Sequence, residues 1–169
     1  MPKFVSKELP EDLYLRLSGH SIDRYLNHVI LLYTVDANGW PHPSLLSCFE
    51  VAARDRNNVR IATYKSSSTT GNMRRNGKVT LSIFDERIAY SIKGKAQEVR
   101  QEMQSSARNS MLNVAVDQVL VDEADPVFEP GAYIAGGVTY VNPNLDRERT
   151  WRNDILRELM GEEFYNADL

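Results

Sequence analysis

Apolar residues recur at every second position, segment after segment, from about residue 28 to residue 100. Val79, Leu81 and Ile83 alternate with Thr80 and Ser82. After the polar turn Asp85-Glu86-Arg87, the residues Ile88, Tyr90, Ile92, Gly94 and Ala96 share one face. Val59, Ile61 and Thr63 alternate with Arg60, Ala62 and Tyr64. Ahead of these lie two apolar-rich runs, 28–35 and 42–51, joined by Asp36-Ala37-Asn38-Gly39. A period of two means strands with one buried face. An Asn-Gly pair between two such runs signals a hairpin, because both residues tolerate positive φ. Five strands in so short a span, mostly in hairpin succession, predict an antiparallel barrel, whose closure also removes exposed edges.

The flanks read differently. Pro10 fits a first helical turn, Leu13 and Leu17 share a face and Gly19 is a stop, which predicts a helix over about 10–18. Ala107, Met111, Ala115 and Val119 recur at i+4 and predict a second helix over about 105–121. After the breaker Glu129-Pro130-Gly131, residues 132–141 read as a sixth strand. Trp151, Ile155 and Leu159 mark a helix over about 145–160, with Asn144 as cap and Gly161 as stop. No linker divides residues 1–169, so one domain is expected: mainly β with flanking helices, its barrel core at about 28–100 plus strand 132–141.

Composition excludes several classes. A formal charge of -3 gives no whole-protein attraction to nucleic acid or to an anionic membrane, so neither is expected as a partner. Nowhere does an apolar run approach the roughly 20 residues of a membrane span. The first residues, Met1 to Lys7, lack the apolar stretch of a signal peptide. A single cysteine, Cys48, forms no internal disulfide and suits a reducing compartment. Cytoplasm is the expected location.

The segment richest in chemistry is Ser66-Ser67-Ser68-Thr69-Thr70-Gly71-Asn72-Met73-Arg74-Arg75-Asn76-Gly77, between the third and fourth strands. A hydroxyl residue there caps a short helix, and Asn76-Gly77 ends it. Free amides, the positive end of the helix dipole and several hydroxyls converge on that start, with Lys65 beside them. That is how a phosphate is held. Plain capping is the commoner use of such residues. Arg74 and Arg75 fall in the last turn, where basic residues complement the dipole in any case.

In order and spacing these elements resemble the pyridoxamine 5'-phosphate oxidase-like, FMN-binding split-barrel superfamily. The similarity runs from about Val29 to Val99. It covers Thr34-Val35-Asp36-Ala37-Asn38-Gly39-Trp40-Pro41-His42-Pro43-Ser44, then Val59-Arg60-Ile61-Ala62-Thr63, then Ser67-Ser68-Thr69 with Asn72 to Asn76, and finally Ile92-Lys93-Gly94-Lys95-Ala96. The resemblance implies a six-stranded antiparallel split β-barrel, FMN as cofactor and a homodimer with the flavin at its interface. By the same resemblance Ser44, Leu45, Leu46 and Ser47 lie along the ring and ribityl chain, and Thr63 contacts the cofactor. Ser67, Ser68 and Thr69 hold the phosphate, with Lys65 as an added cation.

Departures from the family pattern bear on the substrate. Ser68 and Thr69 stand where relatives often carry cations, so hydroxyls and amides must hold a group of about -1.5 to -2 charges. Phe49 replaces a lysine near the substrate phosphate of the true oxidases, and their arginine-bearing signature is missing from residues 139–169. Vitamin B6 oxidation is therefore not expected. The leading expectation is an FMN-dependent oxidoreductase acting on a small molecule, with NAD(P)H as electron donor. The alternatives are a flavin-binding or sensing module without turnover, and a relative holding haem or a deazaflavin in the same cleft.

His20, His28 and His42 are too scattered to make a metal site, and none is expected. His42 adjoins the flavin-lining strand and is the one catalytic candidate, as a proton donor. Cys48 on an apolar strand reads as a small buried hydrophobe. Trp40 and Trp151 read as core or dimer contacts more than as stacking surfaces. No Gly-rich dinucleotide fingerprint follows a strand, and Asp146-Arg147-Glu148-Arg149 reads as a solvated helix face.

Overall fold

The alternating segments form one antiparallel sheet of eight strands in a computed structural model that describes residues 1–162. In chain order the elements are β1 (Lys3–Ser6), α1 (Glu11–Leu17), β2 (Val29–Val35), β3 (Pro41–Ser47), β4 (Val51–Asp55), β5 (Asn58–Tyr64), α2 (Ser68–Asn76), β6 (Lys78–Asp85), β7 (Ile88–Arg100), β8 (Asn109–Val121) and α3 (Leu145–Met160). A 3₁₀ turn, Ile22–Tyr25, precedes β2. Spatial order is β3-β2-β6-β7-β8-β5-β4, with β1 against the far end of β8. The two ends of this order, β3 and β4, are neighbours in sequence but not hydrogen-bonded to each other. The sheet therefore curls into a half-barrel that stays open along one seam, which is a split barrel.

Side chains alternating inward from β2, β5, β6 and β7 fill the interior: Ile30 and Leu32, Val59 and Ile61, Val79, Leu81 and Ile83, Ile92 and Ala96. Leu13 and Leu17 add the apolar face of α1 to the same core, with Leu9 just ahead of the helix. A second cluster lies outside the sheet, where Ile155, Leu156 and Leu159 of α3 cover Cys48, Phe49, Ala52, Ala62 and Met111. Cys48 sits in this cluster, and burial pushes its thiol from 9.0 to about 11. That leaves roughly a hundredfold less thiolate at neutral pH. Native protein is expected to resist Ellman's reagent and to react once unfolded in guanidinium; prompt reaction of the native chain would show that α3 does not cover this site.

The β2–β3 hairpin forms as the alternation predicts, but Asp36 organises its turn. The Asp36 carboxylate accepts from the Asn38 amide at 2.8 Å and the Trp40 amide at 2.9 Å. Only Gly39 needs positive φ, at 85°; Asn38 does not. The run 42–51 is not one strand. It breaks at Cys48-Phe49-Glu50, where the Glu50 amide turns back onto the Ser47 carbonyl at 3.0 Å, and the chain crosses from one side of the seam to the other.

Two expected elements are corrected. Residues 105–121 are not a helix, because β8 occupies Asn109–Val121. An i+4 spacing is also two strand periods, so Ala107, Met111, Ala115 and Val119 fit either template. A bulge conceals the strand's own rhythm: Lys93 pairs with Gln118 and Gly94 with Val116, so Asp117 is extra. Leu112 and Val114 point into the core before it and Val119 after it, which reverses the parity. Residues 132–141 are not a strand either. They form part of an irregular arm held by three main-chain bonds, Arg87 to Ile134, Val29 to Val138 and Tyr140 to Asn27, and by a single bridge between His28 and Thr139. Lys3–Ser6 pairs as a strand that the alternation did not announce. The barrel has eight strands in place of six.

Among the described residues, no helix is long and apolar enough to cross a membrane, and no group of three or more His, Cys, Asp or Glu side chains gathers to hold a metal.

Candidate functional site

The hydroxyl-rich turn is a capped helix start wedged into the open seam. Ser67 is the N-cap of α2, its hydroxyl accepting from the Thr70 amide at 3.2 Å, and Gly77 ends the helix at φ 69°. Thr70 is fully buried and ties the helix to β5, its hydroxyl 2.7 Å from that of Thr63 and donating to the Tyr64 carbonyl at 2.7 Å. Thr69 reaches the other way: its hydroxyl is 2.5 Å from that of Ser44 on β3. The cluster thus bridges both sides of the seam. Asn72 extends the bridge by donating to the Thr34 hydroxyl at 3.0 Å.

The amides of Ser68 and Thr69 lie in the first turn, where no intrahelical acceptor exists. The Ser68 side chain is exposed. Lys65 stands at the same corner in an ion pair with Glu102. Arg74 and Arg75 are used elsewhere. Arg74 binds Glu98 at 2.5 Å and the Lys65 carbonyl at 2.9 Å, and hydrogen bonding to Arg74 holds the Glu98 carboxyl below its usual range. Arg75 donates to the Val35 carbonyl at 2.6 Å.

The residues of β3 divide between its two faces. Ser44 faces α2, and Leu46, only 5% exposed, belongs to the barrel core. Only the main chain of Leu46 is available to a ligand outside the barrel. Leu45 and Ser47 point oppositely and line a cleft of about 310 Å³. That volume lies at the lower end of small-molecule sites. Tyr64, at the end of β5 just before the hydroxyl turn, opens the same cleft; Tyr140 of the arm and Trp151 of α3 form its far wall. His42 shares the face of Ser44, with its carbonyl 3.4 Å from the Thr34 hydroxyl, and does not line the cleft. Trp40 is exposed at the hairpin tip.

Glu50, Arg152 and His28 also line the cleft: the first two went unremarked in the sequence, and His28 was weighed there only as a metal ligand. Glu50 forms part of its floor, with one carboxylate oxygen accepting from both the amide and the hydroxyl of Ser47 at 2.7 Å. Burial pushes the Glu50 carboxyl up, against the Ser47 bonds and Arg152, which pull it down. Arg152 of α3 binds Glu148 through two nitrogens at 3.0 and 2.7 Å. His28 closes the end of the cleft and contacts Asp85 at 2.7 Å. Pairing of Val29 with Ser47 sets His28 beside the β3–β4 turn that carries Glu50. Asp85 is 57 positions from His28, a separation that no local spacing reveals.

The family model for pyridoxamine 5'-phosphate oxidase matches residues 26–141, from the edge of the cleft through strands β2 to β8 and the arm. The chain belongs to the pyridoxamine 5'-phosphate oxidase family. The chain is 31% identical over 85 residues to the uncharacterized protein YclD of Bacillus subtilis. The match spans 50% of this chain and 55% of that protein. Among solved structures the chain is similar to a candidate pyridoxamine 5'-phosphate oxidase of Lactobacillus delbrueckii, at a TM-score of 0.56 and 18% identity over 70% of this chain and 98% of that one. An F420 reductase is similar at a TM-score of 0.51 and 14% identity, over 66% and 98%. At such identities the two structures establish the shared fold. These structural neighbours carry different assigned activities on one fold, so the fold does not name this chain's substrate.

Proposed function

We propose that this protein is an FMN-binding flavoprotein that acts as an oxidoreductase on a small molecule other than pyridoxine phosphate. The reading rests on one juxtaposition. The start of α2 offers two amides and the hydroxyls of Ser67 and Ser68 at the seam, next to a cleft with aromatic walls, in a chain of this family. The donor set fits a phosphate monoester: amides at a helix start, neutral hydroxyls and one ammonium, Lys65, able to turn from Glu102. Ser67, Ser68, Thr69 and Lys65 would hold the phosphate. Leu45, Ser47 and the main chain at Ser44 and Leu46 would run beside the rest of the cofactor, while the Ser44 and Thr63 hydroxyls would anchor the α2 start through Thr69 and Thr70. Bound FMN supplies two-electron redox chemistry, with NAD(P)H as donor.

By the resemblance Phe49, 1% exposed, stands where the true oxidases carry a lysine, which would leave no cation there for a substrate phosphate. A homodimer in the cytoplasm completes the proposal. Val127, Phe128, Tyr140 and Val141 of the arm are all more than 60% exposed, an apolar surface that a second copy would cover. Sedimentation at micromolar concentration should then give a dimer, and a monomer would remove that part.

The decisive measurement compares FMN with riboflavin, each titrated against the full chain by flavin fluorescence. If the α2 start holds the phosphate, FMN binds at least about tenfold more tightly, which one or two charge-assisted hydrogen bonds supply. Ser68→Glu places a carboxylate at that spot and should remove most of the difference while leaving riboflavin unaffected. Equal affinities in the parent protein would defeat the phosphate assignment. A visible spectrum of freshly purified protein separates flavin from haem at the same time.

A further inference from the structure

At the end of the cleft His28 is backed by a buried carboxylate, a pair that the cofactor reading does not use. Asp85, at the end of β6, is 5% exposed and divides its carboxylate between two partners. One oxygen accepts from Arg16 Nε at 2.6 Å and the other faces His28 Nδ1 at 2.7 Å. A carboxylate only accepts, so Nδ1 carries the hydrogen of this bond. Tyr25 packs its edge against the imidazole at 5.8 Å and lies under the Arg16 guanidinium, which fixes the group on its inner side. Among the described residues His28 Nε2 has no hydrogen-bond partner, and the ring lines the cleft with its side chain 28% exposed. A histidine oriented through Nδ1 by a carboxylate, with Nε2 open to a cavity, is arranged for proton transfer.

The surroundings narrow the ligand. Glu50 faces the cleft from the β3–β4 turn, with Ser47 on one of its oxygens. Arg152 faces it from α3 and is engaged by Glu148, while Tyr64 and Tyr140 stand at the sides. With its arginine committed to a carboxylate and its walls aromatic, the cleft favours a flat ligand without charge.

We propose that His28, oriented by Asp85, is the proton-transfer residue of the cleft and serves the reduction of a flat, uncharged conjugated carbonyl compound. The inference rests on the flavin reading above. In the step, the carbon–carbon π bond conjugated to the carbonyl breaks. A C–H bond forms at the β carbon from a hydrogen and electron pair supplied by reduced flavin. A second C–H bond forms at the α carbon as the Nε2–H bond of the imidazolium breaks, and bulk water at the cleft mouth reprotonates Nε2. The acceptor is reduced by two electrons and the flavin oxidised by two.

The test uses the FMN-loaded full chain, NADPH and benzalacetone as probe. Adding benzalacetone should shift the ¹⁵N resonance of His28 Nε2, a readout independent of turnover. His28→Gln should bind FMN within about twofold of the parent yet lower kcat by about a hundredfold, the lower range for a lost general acid. KM should change little. Asp85→Asn should mix the two imidazole tautomers in the same spectra and lower kcat with it. An unmoved resonance, unchanged turnover in His28→Gln, or a parent that holds FMN and does not consume the probe would each overturn the assignment of His28 while leaving the flavin reading intact. A parent that binds no FMN would end both.

Discussion

Gly94→Ala is expected to lower stability by about 1–3 kcal/mol, and Gly94→Val to prevent cooperative folding altogether. Gly94 sits on β7 opposite the bulge of β8, where the extra residue pushes the partner backbone toward it. A Cβ there would lie in contact with the Ala115 carbonyl oxygen, 2.8 Å from Val114 Cγ1 and 3.2 Å from the Ala115 carbonyl carbon. The obstacle is main chain in the middle of a long pairing, which cannot swing aside as a flexible side chain can. Natural domains have only about 5–15 kcal/mol to lose. Thermal unfolding followed by circular dichroism measures both variants; a Gly94→Val protein with parental melting would show that β7 and β8 do not pair in this register.

Glu158→Ala is expected to cost about 3 kcal/mol, or roughly 6–12 °C in Tm for a chain of this size. Glu158 is 2% exposed in the last turns of α3. One carboxylate oxygen accepts from Arg100 at 2.6 Å and from the Gln104 amide at 3.0 Å; the other accepts from the Ser105 amide at 2.7 Å. Removing it takes the acceptor from the Arg100 guanidinium and the Ser105 amide and cuts one tie between α3 and the β7–β8 connection. Burial by itself would raise this carboxyl, but the Ser105 and Gln104 amides and Arg100 outweigh it and hold it below the usual range. A folded-state value below the unfolded one gives stability that is present above the unfolded value, near 4.3. It is lost as pH falls through the folded value. The difference between parent and variant should therefore be full at pH 6–7 and shrink below about pH 4.5. A difference that stays constant to pH 3 would mean that the carboxylate charge contributes nothing.

Local chemistry was legible in the sequence wherever it stays local. Ser67 as N-cap and Gly77 as stop follow from residue type, and the alternation of β5, β6 and β7 follows from which residues seek the core. Two adjacent leucines on β3 show the limit of carrying roles across by resemblance. Leu45 and Leu46 point to opposite faces, so both cannot offer side chains to one ligand. β8 was hidden by its bulge, although the valines at 114, 116, 119 and 121 favour a strand. The pair of Asp85 with His28, and of Asp85 with Arg16 at 69 positions' distance, depends on the closure of the sheet and leaves no trace in spacing.

β8 has β7 along one flank, and on the other β5 beside its first half and β1 beside its last residues. Among the described residues no other strand has three strand partners. A nascent chain emerging from the ribosome can zip β2, β3, β6 and β7 as successive neighbours, but the β4–β5 hairpin has no further strand to pair with until Asn109–Val121 has been made. The apolar faces of those waiting strands are exposed through this interval, and such non-local closure is slow. Vulnerability to aggregation should thus be a property of synthesis more than of the finished protein, concentrated in the time it takes to translate residues 65–121.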